Sequence, residues 1–235
     1  MVKGERLYIL LVAVVISTVT VGAKPLVAKD SLHYKDGTRI YADTAIWQGM
    51  SIKVDLGTPI MEYIVSRQEI KTVEIAMNCR LKNRWYPTLE LGFAQAAAKA
   101  DGGSYDGNGG FFRVGLDING LRKNVKALNA LLAGIRIGNA FQDYNLYGVT
   151  MNDNYWGKMS KHDFPHQFRY DVWGEVVAGV QVHIWEGLQM GWYVRLKILF
   201  TRKSDVDNVM SYYIPGFGYR DNTNWGFNYY VGYKF

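Results

Sequence analysis

Apolar and polar residues alternate along most of this chain with a period of two. That is the period of a β-strand, whose successive side chains point to opposite faces. In GMSIKVDL, Met50, Ile52, Val54 and Leu56 share one face and Ser51, Lys53 and Asp55 the other. In TVEIAMNCRL, Val73, Ile75, Met77, Cys79 and Leu81 oppose Thr72, Glu74, Ala76, Asn78 and Arg80. WYPTLELGFA sets Trp85, Pro87, Leu89, Leu91 and Phe93 against Thr88, Glu90, Gly92 and Ala94, and FFRVGLDIN sets Phe112, Val114, Leu116 and Ile118 against Arg113, Gly115, Asp117 and Asn119. The second half continues with 131–141, 170–184 and 190–200, whose polar faces carry Arg136, then Glu175 and His183, then Arg195 and Lys197. The last run, Trp225–Phe235, alternates Trp225, Phe227, Tyr229, Val231, Tyr233 and Phe235 with Gly226, Asn228, Tyr230, Gly232 and Lys234. Eight strands are predicted, each close to the ~9–11 residues that a tilted strand needs to cross a bilayer.

No Asp, Glu, Lys or Arg falls on the apolar faces, whereas nearly every strand carries at least one on the other face. A soluble sandwich also alternates, with its apolar face inside and its polar face wet. Strands this long, this free of charge on one face and this rich in Trp and Tyr at their ends fit the reverse arrangement, in which lipid meets the apolar face. Backbone groups in hydrocarbon must all be paired, so such a sheet has to close. The expected fold is all-β: a closed, antiparallel, up-and-down transmembrane β-barrel of about eight strands. Its connections, Gly57–Glu69, Lys82–Arg84, Gln95–Gly109, Gly120–Ala130, Asp143–Phe168, Trp185–Gln189 and Thr201–Asn224, alternate long and short, with the fourth intermediate. Long outer loops and short periplasmic turns produce this rhythm.

The N-terminus changes the picture from a sheet to an exported sheet. Lys3 and Arg6 precede the apolar run Leu7–Val21, and Val21 and Ala23 form a small-x-small site. This is the pattern of a secretory signal peptide, expected to be cleaved after Ala23. The expected organisation is a signal peptide at 1–23, a periplasmic lead-in or small hairpin at 24–45, and the barrel at 46–235. Within it, LRKNVKALNALLA places Leu121, Val125, Leu128 and Leu132 at helical spacing, TPIMEYIVSRQ suggests a short interfacial helix, and DGGSYDGNGG (Asp101–Gly110) reads as a flexible loop tip. Cys79 is the only cysteine, so an intrachain disulfide is excluded. A net charge of +6, with dispersed basic residues, gives no nucleic-acid footprint.

A signal peptide, eight alternating strands and a terminal Phe235 preceded by Tyr229, Val231 and Tyr233 resemble a small bacterial outer-membrane β-barrel. LKNRWYPTLELGFA is similar to segments of uncharacterised eight-stranded barrels of the Bacteroidetes type. The resemblance implies residence in the outer membrane among lipid and lipopolysaccharide. It also implies biogenesis through periplasmic chaperones and the barrel-assembly machinery, which would read the C-terminal residues as an insertion signal.

The predicted inward faces gather Lys53, Asp55, Glu74, Arg80, Glu90, Arg113, Asp117, Arg136, Glu175, His183, Arg195 and Lys197. Eight strands enclose only enough room for side chains, and buried charges must be paired. Five acids against six Lys and Arg favour an interlocked network over a selective pore, and Trp173 and Tyr193 add bulk. A narrow small-solute pore remains the alternative. No cofactor motif appears. A lipid-modifying outer-membrane enzyme is the further alternative, but no strand end sets a His two or four residues from a Ser on the same face, and Ser160, His162 and Asp163, which share one loop, read as solvated polar residues. His162, Asp163 and His166 could approach one metal ion, but a flexible loop interrupted by Pro165 makes a poor metal site, and none is expected. The outer connections carry Tyr144, Tyr147, Tyr155, Trp156 and Phe164, then Tyr212, Tyr213, Phe217 and Tyr219, which serve either as an interfacial belt or as anchors for a surface ligand. The functional expectation is a non-catalytic barrel with a structural or surface-interaction role.

Overall fold

A chain whose alternate positions are apolar can hide either set. The computed structural model hides the polar one. It describes residues 32–35, 38–41, 46–60, 69–82, 84–100, 102–121, 129–152, 159–201 and 210–235. Twelve strands appear in it: β1 (Leu32–Lys35), β2 (Thr38–Tyr41), β3 (Trp47–Asp55), β4 (Glu69–Leu81), β5 (Trp85–Ala100), β6 (Gly103–Asn119), β7 (Ala130–Asn152), β8 (Met159–Trp185), β9 (Leu188–Leu199), β10 (Tyr213–Ile214), β11 (Gly218–Tyr219) and β12 (Thr223–Lys234). β1 and β2 form a separate two-stranded hairpin within the expected lead-in, and β10 and β11 form another within the seventh connection.

The other eight strands are hydrogen-bonded in a closed antiparallel ring, in the order β12, β3, β4, β5, β6, β7, β8, β9. Each pairs with its sequence neighbours. Closure comes from β12 against β3, with Tyr230 opposite Asp55 and Lys234 opposite Ser51. The terminal residue takes part: Phe235 N donates to Met50 O at 2.8 Å and Met50 N to Phe235 O at 3.3 Å. The ladder is staggered. From Ile52, paired positions run through Met77, Leu89, Val114, Ile137, Gly174 and Ile198 to Thr223, ten residues short of Tyr233, which is the partner of Ile52 itself. Ten residues at ~3.3 Å against eight strands at ~4.8 Å tilt the strands by roughly 40°.

Burial follows the register. Outward positions such as Ile135 (69% exposed), Val114 and Leu91 stand free, while inward Arg195 and Glu90 are 0% and 1% exposed. Aromatic residues stand on the outward register in two rows. One row contains Phe93, Phe112, Phe141, Tyr170, Phe200 and Trp225, and the other contains Trp85, Trp192 and Tyr233 near the end that carries the short turns. Phe141 lies 4.9 Å from Tyr170 and 6.4 Å from Phe112, ring centre to ring centre. Phe93 and Trp85, Phe200 and Trp192, and Trp225 and Tyr233 are each eight residues apart in sequence, which at the tilt above spans roughly 20 Å along the ring axis.

The ring is uneven, with strands of 9 residues in β3 and 27 in β8. The expected loops at Gln95–Gly109 and Asp143–Phe168 are largely strand instead. β5 and β6 run to Ala100 and from Gly103, so DGGSYDGNGG lies mainly in β6, and β7 and β8 run to Asn152 and from Met159. The sheet continues past the outer aromatic row because Ala94, Ala96, Gly107 and Gly109 face inward there. These small residues let the wall pack under Tyr105 and Tyr144. Among the described residues, Met159–Asp171 of β8 pairs on one side only, with β7. That stretch contains Pro165, a left-handed His166 (φ 51°) and two register shifts against β7. The expected helix over 121–133 is overturned at its C-terminal part, where Leu132 sits inward on β7 and is buried; residues 122–128 lie outside the described residues. Of TPIMEYIVSRQ, Thr58–Ile60 lie in a single helical turn that begins at Gly57, and 61–68 lie outside the described residues.

Candidate functional site in the ring interior

Inward residues of a staggered ring meet in layers, because side chains on neighbouring strands at one height converge on the axis. The central layer is charged. Glu90 on β5 accepts from Arg113 Nη1 on β6 at 2.7 Å, from Arg195 Nη1 and Nη2 on β9 at 2.7 and 2.9 Å, and from Arg136 on β7. Glu74 on β4 accepts from Arg113 at 2.8 Å and from the Tyr230 hydroxyl, which in turn accepts from Arg195. Glu175 on β8 accepts from Arg195 Nη1 at 2.9 Å and from the Trp173 indole at 2.7 Å, and lies 3.1 Å from Arg113 Nε. Three glutamates and three arginines thus form one network across six strands, with every charged side chain almost fully buried. A charge stripped of water is tolerable only when paired and hydrogen-bonded in this way.

Toward the short turns the layer is polar. Arg136 Nη2 donates to Asp117 at 2.9 Å, Lys53 Nζ donates to Gln181 Oε1 at 2.7 Å and to the Tyr193 hydroxyl at 3.1 Å, and Gln181 donates to Gln189 at 2.6 Å. Asp55 accepts from Asn228 Nδ2 at 2.6 Å and from the amides of Gly57 at 2.9 Å and Tyr229 at 3.1 Å, fixing the end of β3 to β12. Tyr86, Leu132, Val177, Tyr193 and Tyr230 close over this region as an apolar cluster.

Toward the long connections the interior is filled by the chain itself. The β10–β11 hairpin folds down into the ring and buries Ile214 and Phe217 against Phe111, Ala140 and Trp173. Its tip carbonyl, Gly216 O, accepts from Arg113 Nη2 at 3.1 Å and Lys197 Nζ at 2.8 Å, and Phe217 O accepts from Lys197 at 3.2 Å. Gly216 has φ +75°, and a Cβ there would lie 2.6 Å from the Phe111 ring. Only glycine turns that tightly at so close an approach. Arg220 secures the outer side of the hairpin to the wall through Asp171 on β8 (2.6 Å) and Ser211 Oγ (2.8 Å), with Gln142 on β7 bonded to both.

Glycines on the inward register make the filling feasible. A Cβ at Gly92, Gly138 or Gly179 would overlap the ring of Phe111, Trp173 or Tyr193, and one at Gly115 would overlap the Arg136 stem. The rings need the space that these residues leave.

The structure brings together eleven of the twelve sequence-predicted inward residues as buried side chains: Lys53, Asp55, Glu74, Arg80, Glu90, Arg113, Asp117, Arg136, Glu175, Arg195 and Lys197. His183 is half-buried, at a register shift near the short-turn end, with its amide bonded to Asn129 at 3.0 Å. The outer aromatics divide. Tyr144 is inward and buried on β7 and Tyr147 is exposed beyond it, while Tyr155 and Trp156 lie outside the described residues. Tyr213 and Phe217, expected on a surface loop, are buried in the mouth of the ring because the hairpin turns inward; Tyr212 and Tyr219 remain partly exposed above them, 5.3 Å apart. Ser160, His162 and Asp163 stand on β8 rather than in a loop. Successive strand residues face opposite ways, and Asp163 accepts from the Gly148 amide at 2.7 Å. Sequence reasoning missed Asp171, Gln142, Ser211, Arg220 and Gly216. Asp171 was findable, because it shares its parity with Trp173 and Glu175.

No curated protein and no solved structure matches this chain. One family model, described as a domain of unknown function (DUF6048), matches residues 5–235, and the chain belongs to that family.

Proposed function

We propose that the chain is an integral outer-membrane β-barrel with a sealed lumen and no catalytic role, acting in envelope structure or surface interaction. The observation that carries this reading is the inverted burial: a closed ring with its charges inside and, outside, an apolar band bounded by two aromatic rows roughly 20 Å apart. Water would penalise that band, whereas lipid accommodates it, and in the ring each strand is hydrogen-bonded to two neighbours, as a sheet in hydrocarbon requires. The signal-peptide pattern and the final Phe235, hydrogen-bonded into the closing strand pair, support export and insertion by the barrel-assembly machinery. Phospholipid and lipopolysaccharide would then be its permanent neighbours.

The filled interior favours a plug over a pore. A central network, a polar layer beneath it and an inserted hairpin above it occupy the axis. Purified outer membranes should yield a protein that migrates faster on a gel before boiling than after it, and the purified protein should give no current steps in a planar bilayer. Recovery in the soluble periplasmic fraction, with heat-independent migration, would remove the membrane reading. Resolved current steps would replace the plug with a pore.

A further inference from the structure

A peptide carbonyl carries only a partial charge, so it is a modest partner for a buried ammonium. Lys197 has such partners. It stands opposite Glu175 in the β8–β9 ladder, yet its Nζ reaches to the hairpin and donates to Gly216 O and Phe217 O. Arg113 commits Nη1 to Glu74 and Glu90 and lies with Nε beside Glu175, which leaves Nη2 for the same Gly216 oxygen. Two cations from the ring therefore converge on one oxygen at the hairpin tip. Around it stand Phe111, whose ring lies 4.7 Å from the Arg113 guanidinium carbon, and Trp173. Among the described residues the hairpin itself is a two-rung ladder that pairs with no ring strand.

We propose that Arg113 Nη2 and Lys197 Nζ form an oxyanion site in the outer half of the ring, which the hairpin tip occupies as an internal ligand. A carboxylate or phosphate on a small soluble molecule takes the place of the Gly216 oxygen when the hairpin lifts. A full negative charge matches the guanidinium and ammonium better than a carbonyl dipole, and the aromatic collar shields the contact from water. The site belongs to the ring interior, so it stands or falls independently of membrane location.

The full chain in detergent provides the test, with sodium phosphate as the probe and sodium chloride at matched ionic strength as the control. Phosphate should speed chymotryptic cleavage at Tyr212 and Tyr213 in the wild type, chloride should not, and Lys197→Met should abolish the phosphate effect. A doubly substituted chain, Ile214→Ser with Phe217→Ser, releases the hairpin. It should bind phosphate saturably by calorimetry, at least about tenfold more weakly once Lys197→Met is added. Cleavage that ignores phosphate, or equals that in chloride, overturns the proposal. So does a released-hairpin variant, still heat-shifting on gels, that binds no phosphate or binds it equally without Lys197. Should that variant lose its ring, the wild-type cleavage experiment decides alone.

Discussion

Glu90→Gln removes one negative charge from the middle of the ring and almost no volume. The carboxylate holds three guanidiniums, those of Arg113, Arg136 and Arg195, and is 1% exposed. After the change, Glu74, Glu175 and Asp117 still pair with the three arginines, but Arg113, Arg136 and Arg195 all lose the buried carboxylate they shared. The amide oxygen retains part of the hydrogen bonding, but its NH2 group points donors at donors. Breaking a buried pair by removing one partner costs about 3–5 kcal/mol. With a urea slope of roughly 2 kcal/mol per M, the unfolding midpoint should fall by roughly 2 M. The assay is urea unfolding in lipid vesicles, read in parallel by tryptophan fluorescence and by the fraction of heat-shifting protein. Glu90→Gln combined with Arg136→Gln restores the charge count, and its loss should be smaller than the sum of the two single losses. A Glu90→Gln protein within ~0.5 kcal/mol of wild type would refute the reasoning, because the carboxylate would then sit in water with exchangeable counter-ions.

Other substitutions probe other layers. Gly138→Val drives a side chain into the Trp173 ring and should destabilise by about 1–3 kcal/mol or block assembly, with Trp173→Ala partly restoring it; vesicle refolding yield reads both. Ile135→Arg places a charge in the exposed apolar band and should cost ~2–4 kcal/mol in a bilayer, while a neutral or solubilising outcome would mean that water wets that face. Deleting Phe235 removes two backbone hydrogen bonds at the closure of β12 on β3 and should lower the assembled fraction in vesicles and in cells, with Phe235→Tyr close to wild type.

The ring was legible wherever lipid-like and charged faces alternate, because charge on one side of a strand marks its register. Glu74, Glu90, Arg113, Arg136, Glu175 and Arg195 were readable for that reason. Legibility failed beyond the outer aromatic row. There the outward positions turn polar, as in Gln95, Asp106, Asn108 and Asp143, while the inward ones shrink to Ala and Gly, so the contrast between faces vanishes while the strands continue. Glycine-rich Gly103–Gly110 consequently looks like a loop, although its cross-strand pairing with Phe93–Ala100 is unbroken. The hairpin posed a different difficulty. Pro215, Gly216 and Gly218 announce a turn, but that it dips between Arg113 and Lys197 depends on residues about a hundred and about twenty positions away in sequence.

Among the described residues β8 outreaches β9, and a bare row of amides and carbonyls is an invitation for a stranger's strand to zipper on. Pro165 has no N–H to offer, the left-handed turn of His166 breaks the straight run, and the slips near Leu146 bend the hairpin away from flatness. The tallest part of the wall is thus a poor template for sheet growth, which lets copies crowd side by side without fusing into fibrils.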